Sequence, residues 1–295
     1  MFTQEPTKKV IAIASERYAI NDLSVMEKPI ALSDSPRSSL LLRLLKYVLL
    51  DILKNKMMLF YTVFLFAVSF GILSMSGDAV KGIASLLNIL LLVTPLLSII
   101  FSTIYFYNSY EFIEVLASQP IRRRTILLSH YCGLCLSLLL SLSIGAGIPL
   151  LIYAPEFLSL TLLMTTGALT MVFVSLAMVA ALYTRDKAKG IGLSILLWFY
   201  FSILYDALML MIMFAFIDYP LEKATLVMIA LNPVDLARTV VLLQMDISAL
   251  MGYTGALMQD IMGNHAGVLA AAGIMGLWIL LPLLLAVRKF NRRDF

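Results

Sequence analysis

Six stretches of this chain are apolar almost without interruption: 57–75, 83–107, 126–152, 158–183, 191–217 and 268–287. Each has the roughly 20 residues that an α-helix needs to cross the hydrocarbon of a bilayer. The pattern therefore predicts an all-α integral membrane protein with six transmembrane helices. No closed set of alternating ten-residue strands is present, which excludes a membrane β-barrel. Residues 39–54 follow another pattern, leucines almost throughout with Arg43, Lys46, Tyr47, Asp51 and Lys54 recurring at helical spacing. This predicts an amphipathic interfacial helix over 39–56 that leads into the first span. A cytoplasmic extension of the first span fits the same pattern equally well.

The connection over 218–267 is long and apolar enough to pack against the membrane. Within it, Asn232-Pro233-Val234-Asp235 has the chemistry of a helix start. Asn232 can cap, proline suits the first helical position, and Asp235 meets the positive end of the helix dipole. A short helix should follow to about Met245. After Gly252, Thr254 can cap a second one ending near Gly263, so a pair of half-helices dipping into the outer leaflet is expected. No internal repeat or low-complexity segment interrupts this organisation.

Composition agrees with the pattern: 61% of the 295 residues are apolar and 14% charged, with a mean hydropathy of +0.94. The basic surplus of four is too small to imply nucleic acid, and its distribution is more informative. With connections assigned alternately to the two sides, 19 of the 22 Lys/Arg fall on one side and only Lys81, Lys223 and Arg238 on the other. By the positive-inside rule the first side is cytoplasmic, and both termini are on it. Residues 1–38 are polar, lack a signal-peptide core, and are expected to form a mobile cytoplasmic tail. The partner implied throughout is membrane lipid.

No GxxxxGK[ST] loop, no HExxH and no nucleophile with a base beside it occurs, so neither ATP hydrolysis nor another catalytic role is assigned to the chain. Two histidines in separate stretches, His130 and His265, do not make a catalytic metal site. The segment over 108–125 carries more information. Glu111 and Glu114 share one helical face, Pro120 ends that helix, and Arg122, Arg123 and Arg124 open the next. A charged helical elbow of this kind can dock a cytoplasmic partner; arginines placed there only by topology fit the pattern too.

The acidic helix, Leu116-Ala117-Ser118-Gln119-Pro120 and the basic run resemble the gate and coupling helices between the second and third spans of type 2 ABC-transporter permeases. Phe112-Ile113 stand where that family commonly has Gly-Thr, and His130 where lysine is frequent. The resemblance implies a type 2 ABC exporter-like permease. Trp198-Phe199-Tyr200-Phe201, Leu204-Tyr205-Asp206 and Leu231-Asn232-Pro233-Val234-Asp235 narrow it. They are similar to the permeases of ABC transporters that serve copper maturation of nitrous oxide reductase. That likeness implies a homodimer, a cytoplasmic ATP-binding cassette subunit holding ATP and Mg, a periplasmic β-helical copper-handling protein, and copper as cargo of the system. No cofactor is assigned to this chain itself. Asn232, Pro233 and Asp235 become the candidate contact with the periplasmic partner.

Asp206 lies about 22 Å along its helix from the inner end at 1.5 Å per residue. An ionised aspartate at such a depth costs about 2.5 to 3.5 kcal/mol on insertion scales, and intramembrane carboxylates commonly mark pathways. With no Lys or Arg inside a span, its expected partners are water, a hydroxyl such as that of Tyr205, the dimer mate or a cation. Asp206 and Tyr205 are therefore the candidate pathway or gate residues. Soft metal ligands are limited to Cys132 and Cys135 on one helical face, and to Met258, Met262 and His265 in the outer connection. Methionine and cysteine filling an apolar interior account for the same residues. Three functions remain open: a transmitter of ATP-driven movement, an exporter opening around Asp206 for a small substrate, and an ATP-independent scaffold for a periplasmic protein.

Overall fold

The computed structural model describes residues 37–118, 121–155, 157–216, 222–245 and 265–292. The chain divides into two compact units, Met1–Leu40 and Leu41–Phe295, and the membrane bundle is the second. The expected tail lies outside the described residues apart from its last two positions.

Among the described residues all regular structure is helical. Helix α1, Arg37–Leu53, is followed by α2, Lys56–Met75, and α3, Ala79–Asn108. The short α4, Tyr110–Ala117, precedes a continuous rod of α5, Arg123–Leu142, a π-helical turn at Ser143–Gly147 and α6, Ile148–Tyr153. Helix α7, Phe157–Tyr183, stands alone, and a second rod follows from α8, Lys187–Phe199, a π turn at Tyr200–Leu204, and α9, Tyr205–Ala215. Last come α10, Glu222–Ala230, α11, Pro233–Gln244, and α12, His265–Asn291. Six of these units are long and apolar enough to cross a membrane: Lys56–Met75, Ala79–Asn108, Arg123–Tyr153, Phe157–Tyr183, Lys187–Ala215 and Leu269–Asn291. They are spans 1 to 6.

Helix α1 does not continue into span 1. The helix stops at Leu53, and Asn55, in extended backbone conformation, caps the next by accepting from the Met57 N–H at 3.0 Å. Val48 and Ile52, one turn apart, turn inward and are buried, while Lys46, Tyr47 and Leu50 face out. Its Asp51 accepts a hydrogen bond from the Tyr105 hydroxyl of span 2 at 2.9 Å.

Span 4 is the centre of the bundle, with spans 2 and 6 packed along it. In span 3 the π turn brings Gly145 against span 1, where an added Cβ would lie 2.7 Å from Leu65 Cβ and 3.0 Å from the Thr62 carbonyl. A residue without a side chain is what lets the two backbones approach. Gly147, by contrast, makes ordinary contact with Leu163, nothing lies near Gly276, and Ala272 is exposed. Span 2 contains Pro95, which has no N–H to give the carbonyl four residues back. Polar groups gather at this point: the Thr94 hydroxyl reaches the Leu90 carbonyl at 2.6 Å, and Trp198 Nε1 of span 5 donates to the Leu92 carbonyl at 3.1 Å.

Long-range contacts fix which ends meet. Lys187 Nζ donates to Asn108 Oδ1 at 2.7 Å, Arg123 Nη1 donates to the Asn291 carbonyl at 3.3 Å, and Lys289 Nζ sits 4.9 Å from the centre of the Tyr183 ring. The starts of spans 3 and 5 and the ends of spans 2, 4 and 6 thus form one basic end. Helices α10 and α11 lie at the opposite end, bent 112° to each other at Leu231 and Asn232. The first member of the half-helix pair expected from the sequence is α11, and α10 precedes it as a bent neighbour. The segment 254–263, expected as the second member, lies outside the described residues.

Candidate functional site

At the basic end, α4 follows span 2 after a turn at Ser109. Ile113 and Leu116 share one face and are buried, which holds the short helix onto the bundle. The opposite face shows Glu111, Phe112, Glu114 and Val115. Two acidic and two apolar side chains beyond the ends of the spans make a surface that a protein partner can bury. Ser118 closes the helix, its hydroxyl donating to the Val115 carbonyl at 2.7 Å. Pro120 lies outside the described residues. Arg122 and Arg124 are exposed, whereas Arg123 turns inward to the end of span 6.

Immediately before α4, span 2 is fastened to spans 4 and 5. The Tyr107 hydroxyl meets Thr184 Oγ1 at 2.5 Å, the Thr184 carbonyl at 3.1 Å and the Ala181 carbonyl at 3.3 Å. These carbonyls end span 4, where the helix itself leaves them without donors. The Tyr107 ring lies against Gly190 of span 5 so closely that a Cβ there would overlap the phenol. One residue on, Asn108 takes the Lys187 ammonium. Further along the same contact, Thr103 Oγ1 and Ser194 Oγ lie 2.7 Å apart.

At the far end, Asp206 Oδ2 accepts from Arg238 Nη1 at 3.0 Å, and the same Nη1 donates to Asp235 Oδ1 at 3.2 Å. The partners expected for Asp206 from the sequence are water, a hydroxyl, a dimer mate or a cation. The counter-charge instead comes from α11, outside the six spans and 32 residues along the chain. Tyr205 does not bond Asp206; its hydroxyl donates to the Met228 carbonyl of α10 at 2.7 Å.

Asn232 is fully buried and uses its whole amide. Its Oδ1 accepts from the Val234 N–H at 3.0 Å, the N-cap expected from the Asn-Pro sequence, while Nδ2 donates to Asp235 Oδ2 and to the Phe201 carbonyl, both at 2.9 Å. Phe201 lies in the π turn of span 5, where the widened helix frees carbonyls for outside donors. Trp278 Nε1 of span 6 donates to the Ala230 carbonyl at 3.1 Å, and Thr161 Oγ1 of span 4 donates to Gln244 Oε1 at 2.6 Å. Asn232, Pro233 and Asp235 are therefore turned into the bundle. Val227 and Leu231, in and just after α10, are exposed.

Of the soft ligands, Cys135 is buried and Cys132 half-buried, both as free thiols. Met258 and Met262 lie outside the described residues, as does the His265 side chain. His130 is buried, with Nδ1 3.0 Å from the Ile126 carbonyl. Among the described residues no group of three His, Cys, Asp or Glu is placed to hold a metal ion.

Arg238 was missed as a site residue, although two signals pointed to it. It follows Asp235 by one turn on the Asn-Pro helix, and it is one of only three basic residues on its side. Tyr107, Thr184, Lys187 and Gly190 carry no such signal, because nothing local marks a tyrosine that will meet a glycine 83 positions later.

A bundle of six apolar helices, an exposed acidic elbow between the second and third, and a bent helix pair after the fifth define a transporter's membrane subunit. The chain belongs to the ABC-2 family of transporter proteins, which matches it over residues 46–295. It is similar to the probable ABC transporter permease protein NosY of Pseudomonas aeruginosa, with 27% identity over 223 residues, 72% of this chain and 80% of that protein. It is thus a multi-pass ABC transporter permease subunit.

Proposed function

We propose that this chain converts ATP turnover by a separate cytoplasmic subunit, docked on α4, into movement of the α10 and α11 pair. The basic end is cytoplasmic on this reading, both termini lie inside, and two copies form the permease. The observation that carries it is the attachment of span 5. The span is bonded to span 2 beside the elbow at its start and to the helix pair from its middle, at Phe201 and Asp206, and from Tyr205 to Ala215 it buries no residue. A rod held by a few polar ties and little buried overall can shift with little loss of core contact. The likeness to NosY supports service in copper-site maturation of nitrous oxide reductase, with a periplasmic β-helical protein at the far end. Val227 and Leu231 are then the contact surface, and Asn232, Pro233 and Asp235 the buried support behind it. Asp206, already matched by Arg238, acts as a latch between rod and pair rather than as a stop for a passing cation.

Native mass spectrometry of the tagged chain, purified in mild detergent after expression with its genomic neighbours, tests this. Two copies with two ATP-binding subunits and a periplasmic β-helical protein are expected. An ATP-binding pair alone would shift the function to export of a small substrate, and recovery of no ATP-binding subunit would leave a scaffold.

A further inference from the structure

The elbow helix joins the bundle at two places, and they differ in what they can move. Through Arg122 and Arg123 it continues into span 3, which is held in the interior on several sides. Through Tyr107 and Asn108 it continues into the end of span 2, and there the chain is bonded sideways to the least buried span of the molecule.

We propose that Tyr107, seated on Gly190 and bonded to the end of span 4 at Thr184, is the positioning residue that passes movement of α4 into span 5. The proposal rests on the function given above. Its physical basis is a contact without slack. The phenol faces three oxygens at the end of span 4 and presses its ring on bare backbone of span 5. Asn108 holds the first turn of span 5 through Lys187, and Thr103 meets Ser194 farther along the same pair of helices. Any tilt of α4 that drags the end of span 2 must therefore drag the start of span 5. Beyond Ser194 the rod touches span 2 once more, at Trp198, before Phe201 and Asp206 meet α11, so a displacement of its start has a short bonded route to the helix pair.

The test uses the full permease with its ATP-binding subunit in nanodiscs. A reporter cysteine replaces Leu231 in a Cys132→Ser, Cys135→Ala background, and its labelling by a polar maleimide is timed without nucleotide and with trapped ADP-vanadate. In the parent, trapping should change the labelling rate about tenfold, the scale of ordinary allosteric coupling. Tyr107→Phe and Thr184→Val should abolish that change while capture of the ATP-binding subunit and thermal stability stay near the parent's. Thr184→Ser, which keeps the hydroxyl, should restore it. A Tyr107→Phe and Thr184→Val pair that retains the full nucleotide response overturns the joint and leaves the proposed function standing. A parent that captures its ATP-binding subunit but shows no nucleotide response overturns both.

Discussion

Spans 4 and 5 are nearly the same length and equally apolar, yet 67% of an 18-residue apolar stretch of span 4 is buried and only 11% of such a stretch of span 5. Lipid tails are as apolar as leucine, so hydrophobicity does not choose which helix goes inside a membrane bundle. Packing and polar ties choose. Span 4 carries small and hydroxyl-bearing residues on several sides, with Thr166, Gly167, Thr170, Ser175 and Ala177 all buried, and neighbours close around it. Span 5 instead presents Leu196, Phe199, Ile203, Leu210, Met211 and Phe214 outward, and its inward bonds, to span 2 and α11, run from Lys187 to Asp206. The first is enclosed by its neighbours, and the second is held by a few polar ties.

The sharpest way to break this comparison is to truncate one aromatic on each span. Phe173 of span 4 is fully buried against Phe201. Phe173→Ala should cost about 3–5 kcal/mol, as for other large cavities, and lower the thermal midpoint in detergent markedly. Phe214 of span 5 is 73% exposed, and Phe214→Ala should change stability by no more than about 0.5 kcal/mol. Equal losses at both positions would mean that span 5 is as buried as span 4 in the purified protein.

The latch comes next. Arg238→Ala leaves Asp206 and Asp235 without their cation at a site where the arginine and Asp206 are each about one-third exposed. A loss of about 2 kcal/mol is expected, between the values for exposed and buried pairs. A double-mutant cycle with Asp206→Asn should return a coupling above about 0.5 kcal/mol; purely additive losses would remove the latch.

Charge reversal at the exposed elbow, Glu111→Lys with Glu114→Lys, should weaken capture of the ATP-binding subunit about tenfold without moving the thermal midpoint. Unchanged capture would take the docking surface away from α4. The smallest effect is expected from Cys132→Ser with Cys135→Ala: on the proposed function it should alter nitrous oxide reductase maturation less than about twofold, as for thiols that fill an apolar interior. Loss of maturation that added copper restores would instead make the thiols part of a copper route.

The far-end cluster shows how far local rules reach. Asn232, Pro233 and Asp235 read as a helix start, and the N-cap from Asn232 to Val234 is there, because capping depends on residues that are neighbours in the chain. The direction those residues face was not legible. Asn232 spends its remaining donors on Phe201 and Asp235, an outcome that depends on where the π turn of span 5 lies. The intramembrane Asp206 was visible as a residue in need of a partner. Its actual partner required knowing that α11 folds back onto span 5.

What the sequence determined by itself was the set of spans and the unequal distribution of basic charge between their ends. The bilayer imposes both residue by residue, since unpaired backbone groups and charges have no water there. Tertiary structure alone decided which spans form the core, which carbonyls Tyr107 and Asn232 serve, and that Arg238 neutralises Asp206. Helices apolar on all sides carry little information about facing, and those bonds join segments that only close packing brings within reach.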